Sequence, residues 1–294
     1  MERAVRGRQR GAPALPADAA TLWDAHAHVI GDPDRYPLWP GRRYDPPTAP
    51  LPEYLDLLDR LGVHRGVLVQ PSVYGFDNRC MLDALDEAGG RLVGVAVPAP
   101  DSRPRDLEAL HRAKVRAVRC NPLSGPGGLD VDTVLGWRPV LRELGWHVEV
   151  HLAMTEVHDL RTWLARFEVP VVIDHMGRPA PGRTDPDRPE NQRLVQAVRD
   201  GACRVKLSAP YRYSSDPPPW LDVAPLARAF LESNAAACLW ATDWPHTDTP
   251  TPVGPRDLMA ALDEWCPDAA ARRSLMARAG ELFPGPQPGE RAAR

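Results

Sequence analysis

The feature that most constrains this chain is a regular alternation of strand-like and helix-like runs across nearly all of its 294 residues. Short apolar runs at 22–29, 66–70, 92–97, 115–120, 147–152, 169–173, 203–208 and 237–241 have the length and residue types of buried strands. Between them, 51–61, 81–88, 106–113, 138–144, 158–167, 192–199, 221–233 and 258–265 carry apolar residues at helical spacing, and a further helix is expected over 269–282. Strands separated by helices pair in parallel. Eight such units in under 300 residues predict an α/β fold in which the sheet closes on itself, a single (β/α)8 TIM barrel. No Gly-x-Gly-x-x-Gly follows the first strand, which removes the main reason to expect a dinucleotide-binding sheet.

One barrel domain over 21–284 is expected, flanked by tails at 1–20 and 285–294 that lack the patterning of a packed element. The 34 prolines gather between elements, as at Pro46–Pro47 and Pro217–Pro219, and read as loop punctuation. The longest such loops follow the first and seventh strands, on the face where a barrel carries its chemistry. A net charge of -3 gives no footprint for nucleic acid or an anionic membrane surface. No apolar run approaches a membrane span, and the first 20 residues lack the apolar core of a signal peptide. The cysteines, Cys80, Cys120, Cys203, Cys238 and Cys266, are odd in number and form no Cys-x-x-Cys pair. They are expected to be reduced core thiols of a cytoplasmic protein.

In such barrels, reacting groups stand at the C-terminal ends of the strands. The first strand ends in Asp24-Ala25-His26-Ala27-His28. Residues two apart on a strand share a face, so His26 and His28 both point inward, and two imidazoles there could chelate one metal ion. The fifth strand ends in His151, the sixth runs into Asp174-His175, and the eighth into Thr242-Asp243-Trp244-Pro245-His246. Four strand ends thus offer His or Asp to one volume. His64, His111, His147 and His158 are expected to be satisfied structural histidines.

With Gln70-Pro71-Ser72, Val118-Arg119, Asp174-His175-Met176-Gly177-Arg178 and Lys206-Leu207-Ser208, these segments resemble the amidohydrolase superfamily. Within it, they resemble the branch that holds lactonases of pyrone dicarboxylates, sulfomuconolactones and sugar acids. The matching segments span nearly the whole barrel, and the strand-six and strand-eight segments are the most specific.

The resemblance implies a hydrolase that opens a lactone, or a related cyclic ester, of a carboxylic acid. Asp243 would be the general base, and His26, His28 and His175 would polarise the carbonyl directly or through a metal. Arg119, Arg178 and Arg212 would grip substrate carboxylates, whose two oxygens match a guanidinium fork. Ser72 and His246 would add polar contacts. Metal-using relatives carry a histidine where this chain has His151, so His26, His28, His151 and Asp243 form the donor set of a site for one divalent metal ion, zinc by preference. Metal-free working, as in the pyrone-dicarboxylate lactonases, stays open beside it. Gly125 stands where those lactonases would have another arginine, so a dicarboxylate substrate is not carried over. The alternatives are a zinc-dependent decarboxylase of a muconate-like or aromatic acid, and a ligand-binding barrel without catalysis. The expected partner is a small carboxylate-bearing molecule. Neither nucleic acid nor membrane is expected, and association into homo-oligomers is left open.

Overall fold

A computed structural model describes residues 20–249 and 252–283. Apart from Ala20, the expected tails lie outside the described residues. Eight strands, Trp23–Ala27 (β1), Arg65–Val69 (β2), Leu92–Ala96 (β3), Val115–Cys120 (β4), His147–Val150 (β5), Val171–Ile173 (β6), Arg204–Leu207 (β7) and Cys238–Trp240 (β8), pair in parallel in sequence order. The sheet closes beyond its last strand: Ala27 bridges Trp244, the His28 N–H donates to the Trp244 carbonyl at 2.7 Å and the Asp243 N–H to the His26 carbonyl at 2.9 Å. The α/β barrel expected from the alternation is therefore what the chain forms.

The helices between strands include Leu51–Leu61 (α1) and Pro104–Arg112, each within a few residues of its expected bounds. One difference is informative. The run expected as one helix over 269–282 is Ala269–Ala277 followed by a 3-10 turn, Arg278–Glu281. That turn packs under the barrel, where Phe283 stacks on Trp23 at 6.1 Å and a Cβ on Gly280 would meet the Trp23 ring at 3.0 Å. An α-helical continuation would lose this plug.

Inside the barrel, Trp23, Ala25, Val67, Val69, Val93, Val95, Ala117, Val172, Leu239 and Ala241 form an apolar core separate from the larger one beneath the helices. On β1 this inner set has odd numbers, yet His26 and His28 also face inward. The β1–β2 register shifts between Asp24 and Ala27, and one irregularity of this kind exchanges the faces of all later residues. Asp24, which precedes the shift and alternates with the inward Trp23 and Ala25, points outward and is wholly buried. Its carboxylate accepts from the Thr242 N–H (2.8 Å) and hydroxyl (2.5 Å) and from the Tyr54 hydroxyl of α1 (3.1 Å). These bonds tie the first strand to the eighth-strand segment that carries Asp243. Burial pushes the Asp24 carboxyl up to about 6 despite them. Tyr54→Phe removes one donor and is expected to cost about 1.5 kcal/mol in denaturant melts; an unchanged midpoint would show that the hydroxyl does not help close the barrel.

Candidate active site

The strand ends converge on one oxygen. Asp243 Oδ1 lies 3.7 Å from His26 Nε2, 3.6 Å from His28 Nε2 and 3.8 Å from His175 Nε2. This oxygen and His26 Nε2 are buried, and neither has a hydrogen-bond partner among the described residues. The other carboxylate oxygen is fixed: the Tyr211 hydroxyl donates to Oδ2 at 2.5 Å and Arg212 Nε at 3.2 Å. One oxygen is thus anchored, and the other faces a gap ringed by three imidazoles.

The backbone around this gap is held in unusual conformations. His175, Met176, Arg178, Ala209, Asp243 and His246 all have φ between 49° and 61°, a region that side-chain-bearing residues rarely enter. Each such residue stores strain, and their clustering at the ends of three strands marks the face where side-chain aim takes precedence over backbone comfort.

Beside the gap lies a cavity of about 240 Å³, lined among others by His28, Ser72, Arg119, His151, His175, Arg178, Arg212 and Asp243. Most residues singled out in the sequence therefore share one volume. His246 does not line it; the ring packs edge-on against Tyr211 at 5.6 Å and borders the neighbouring cavity with Trp244. Arg119 is buried, and its Nε and Nη2 both donate to Asp174 Oδ2, at 3.3 and 3.2 Å. Arg178 is exposed and has no side-chain partner among the described residues. Sequence reasoning missed Arg43, Tyr44 and Asn121 in the lining and Tyr211 on Asp243. Arg43 and Tyr44 come from the loop after β1, and Tyr211 from the loop after β7. No periodicity marks Arg43, Tyr44 or Tyr211, and only their place in the expected proline-rich loops could have pointed to them, whereas Asn121 directly follows the expected fourth strand and its strand-end position was the available signal. Two histidines expected to be structural are so: His64 Nδ1 accepts from the Leu22 N–H at 2.9 Å, and His111 Nδ1 from the Trp146 ring at 2.8 Å.

The electrostatics suit a neutral imidazole cluster around an ionised acid. Burial alone would raise the Asp243 carboxyl, but His175, Arg212, His28 and His26 bring it well below the usual carboxylate range. Burial, then Lys206, pushes the His26 imidazole well below the usual histidine range, and burial takes His175 to about 4. His151 is also pushed well down, by burial and then Arg119.

The described residues contain two groups whose donor atoms are close enough to hold a metal ion: His26, His28 and Asp243, and His26, Asp174 and His175. His151 belongs to neither; its ring stands 5.1 Å from that of His175, and both its nitrogens lack partners among the described residues. A metal-bound imidazole donates its far N–H to an acceptor. His28 meets this requirement, with Nδ1 2.7 Å from the Val69 carbonyl. His26 does not, because its Nδ1 faces the Lys206 ammonium at 3.0 Å. The donors are placed for a cation, but the surroundings of His26 do not fit one.

A closed parallel barrel with histidines and an aspartate gathered at the C-terminal ends of its strands has the architecture of the barrel enzymes, whose active sites stand on that face. The Amidohydrolase family model matches residues 23–284, so the chain belongs to the amidohydrolase family and is an enzyme of the hydrolase type. It is 35% identical to the 4-sulfomuconolactone hydrolase of Hydrogenophaga intermedia over 262 residues, 86% of this chain and 85% of the relative. It is 33% identical to the 2-pyrone-4,6-dicarboxylate hydrolase of Comamonas testosteroni over 242 residues, 79% of this chain and 78% of the relative. Among solved structures it resembles a probable 2-pyrone-4,6-dicarboxylic acid hydrolase of Acinetobacter baumannii with citric acid bound, at a TM-score of 0.76 and 26% identity over 90% of this chain and 99% of that one.

Proposed function

We propose that this protein hydrolyses a lactone of a carboxylic acid, with Asp243 as general base. The observation that carries this is the bare Asp243 Oδ1 facing three imidazole Nε2 atoms at 3.6 to 3.8 Å, next to an arginine-lined cavity. A water in the gap can donate one proton to Oδ1. Its second can go to His28 Nε2, which is a lone pair because Nδ1 must donate to a carbonyl oxygen. The oxygen attacks the lactone carbonyl as Asp243 takes the proton. His26 and His175 face the oxygen on which negative charge develops. Collapse breaks the ring C–O bond, and the Asp243 carboxyl returns its proton to the leaving oxygen, giving a hydroxy acid.

Lactone chemistry is favoured over decarboxylation because the names of the relatives at 33–35% identity are those of lactone hydrolases. The deciding experiment offers the enzyme 4-sulfomuconolactone, 2-pyrone-4,6-dicarboxylate and a sugar-acid lactone after exhaustive chelation, following ring opening by absorbance and net proton release. Ring opening of at least one without release of carbon dioxide is expected. Carbon dioxide from a muconate-like acid, with no lactone opened, would overturn the proposal.

The guanidinium groups lining the cavity are suited to receive a substrate carboxylate. Arg119 is committed to Asp174, and Arg212 to Asp243 and the Thr247 carbonyl, so Arg178 is the guanidinium best able to receive it. A charge-assisted hydrogen bond is worth about 1.5–3 kcal/mol. Arg178→Met is therefore expected to lower kcat/KM for a carboxylate-bearing lactone by roughly tenfold to a hundredfold and to leave its neutral methyl ester nearly untouched. Equal losses for acid and ester would remove Arg178 from substrate binding.

A further inference from the structure

Beneath the imidazole ring lies a charge cluster that the catalytic scheme above does not use. Lys206, in the middle of β7, is fully buried at the floor of the site. Its Nζ donates to Glu149 Oε2 of β5 at 2.5 Å, lies 3.0 Å from His26 Nδ1, and is 3.3 Å from Asp174 Oδ1. An ammonium has three N–H donors and no lone pair. Whatever an ammonium meets must accept, and two of the three groups around this one are carboxylate oxygens. His26 Nδ1 therefore presents a lone pair to Lys206, and the proton of the neutral ring is on Nε2, the nitrogen that faces Asp243 Oδ1 at 3.7 Å. The one competing arrangement would donate Nδ1–H to Asp174 Oδ1. That oxygen is farther, at 3.4 Å, and itself lies 3.3 Å from the Lys206 Nζ, while Arg119 holds the other oxygen of the same carboxylate.

The two histidines of the first strand are thereby made unlike. His28 is turned by the Val69 carbonyl into an acceptor toward the gap. His26 is turned by Lys206 into a donor toward it. One ring can take a hydrogen from water, and the other can give one to the carbonyl oxygen.

We propose that Lys206 is a positioning residue: its ammonium holds His26 as the Nε2–H tautomer aimed at the reacting carbonyl, and so closes this nitrogen to a divalent metal. The catalytic consequence rests on the lactone-hydrolysis proposal above; the tautomer and the metal exclusion do not.

Two measurements test it, neither of which requires turnover. In the full-length 15N-labelled protein, long-range proton–nitrogen correlations across the imidazole rings report which nitrogen of His26 carries hydrogen, with the signals assigned by their loss in His26→Gln. A proton on Nε2 and a bare Nδ1 at neutral pH are expected; a proton on Nδ1, or on both nitrogens, overturns the proposal. The second measurement is equilibrium zinc binding. Lys206→Met/Glu149→Leu removes the cation together with its partner charge, and leaves Asp174 free to accept from Nδ1 as a metal-bound histidine requires. Zinc affinity is expected to be at least about tenfold to a hundredfold higher in the double variant than in the unaltered protein, the range by which such supporting contacts change metal sites. Equal affinities, or tighter binding by the unaltered protein, would show that Lys206 excludes nothing. A chain that opens no lactone but shows the Nε2–H tautomer would refute the proposed reaction alone, whereas a lactonase with the Nδ1–H tautomer would refute only the role of Lys206.

Discussion

Asp243→Asn is expected to lower kcat by a factor of about 10²–10⁴, the range typical of a lost general base. The replacement preserves shape. An amide oxygen can still accept from Tyr211 and Arg212, so circular dichroism and the melting midpoint should change little. What is lost is a carboxylate oxygen able to take a proton from water. The same residue predicts the pH profile. Its carboxyl is held well below the usual range by His175 and Arg212 against the upward push of burial, and His175 itself is moved to about 4 by burial. Both are in their working forms, carboxylate and neutral imidazole, at any higher pH. Titration of these two groups should therefore leave activity unchanged as pH falls from 7 to about 5 and remove it only on approaching pH 4, whereas Asp24, at about 6, can contribute an earlier and smaller loss through the strand it ties. Near-normal turnover in Asp243→Asn, or an acid limb centred close to pH 6.5, would rule out this assignment.

The second large effect concerns stability. Glu149 and Lys206 are both fully buried, 2.5 Å apart across the barrel interior. Removing one member of a buried ion pair leaves a charge with too little compensation, which typically costs about 3–5 kcal/mol. Glu149→Ala is expected to fall in that range in denaturant titrations. Asp174, 3.3 Å from Lys206, gives partial relief, so the lower end is the better figure. Lys206→Met/Glu149→Leu removes both charges and fills the space with apolar side chains, and should be nearly as stable as the unaltered protein, or more so, because the desolvation cost of the pair disappears with it. If the double variant were as unstable as Glu149→Ala, the pair would be contributing net stability in its own right.

The barrel was legible because its signal is repetitive. Eight short apolar runs separated by amphipathic ones leave few ways to bury every apolar face, and one of the best is a closed parallel sheet. The strand ends were legible for a related reason: once the runs are placed, the residues just beyond them must share the C-terminal face. His26, His28, His175 and Asp243 were found in this way, and the structure brings the three histidines around one oxygen of Asp243. The pairing of His26 with His28 followed from two-residue periodicity, which holds between them.

Other features were not legible, because they depend on irregularity or on distance through space. Nothing local in Asp24-Ala25-His26 announces the register shift that turns the histidines inward while Trp23 and Ala25 already point there. Tyr211 and Arg43 reach the site from loops, where no repeat fixes the direction of a side chain. Lys206 lies within the expected seventh strand, where residue type alone gives it no role; only the closure of the barrel brings Glu149 of β5 and Asp174, just beyond β6, to within 3.3 Å of its Nζ and sets it against His26 Nδ1. The sequence by itself determined the fold and which histidines and aspartate gather at the strand ends, since both follow from periodic burial along the chain. The tertiary structure alone decided what stands behind each imidazole, a carbonyl at His28 and a lysine Nζ at His26, because both are contributed by strands distant in sequence.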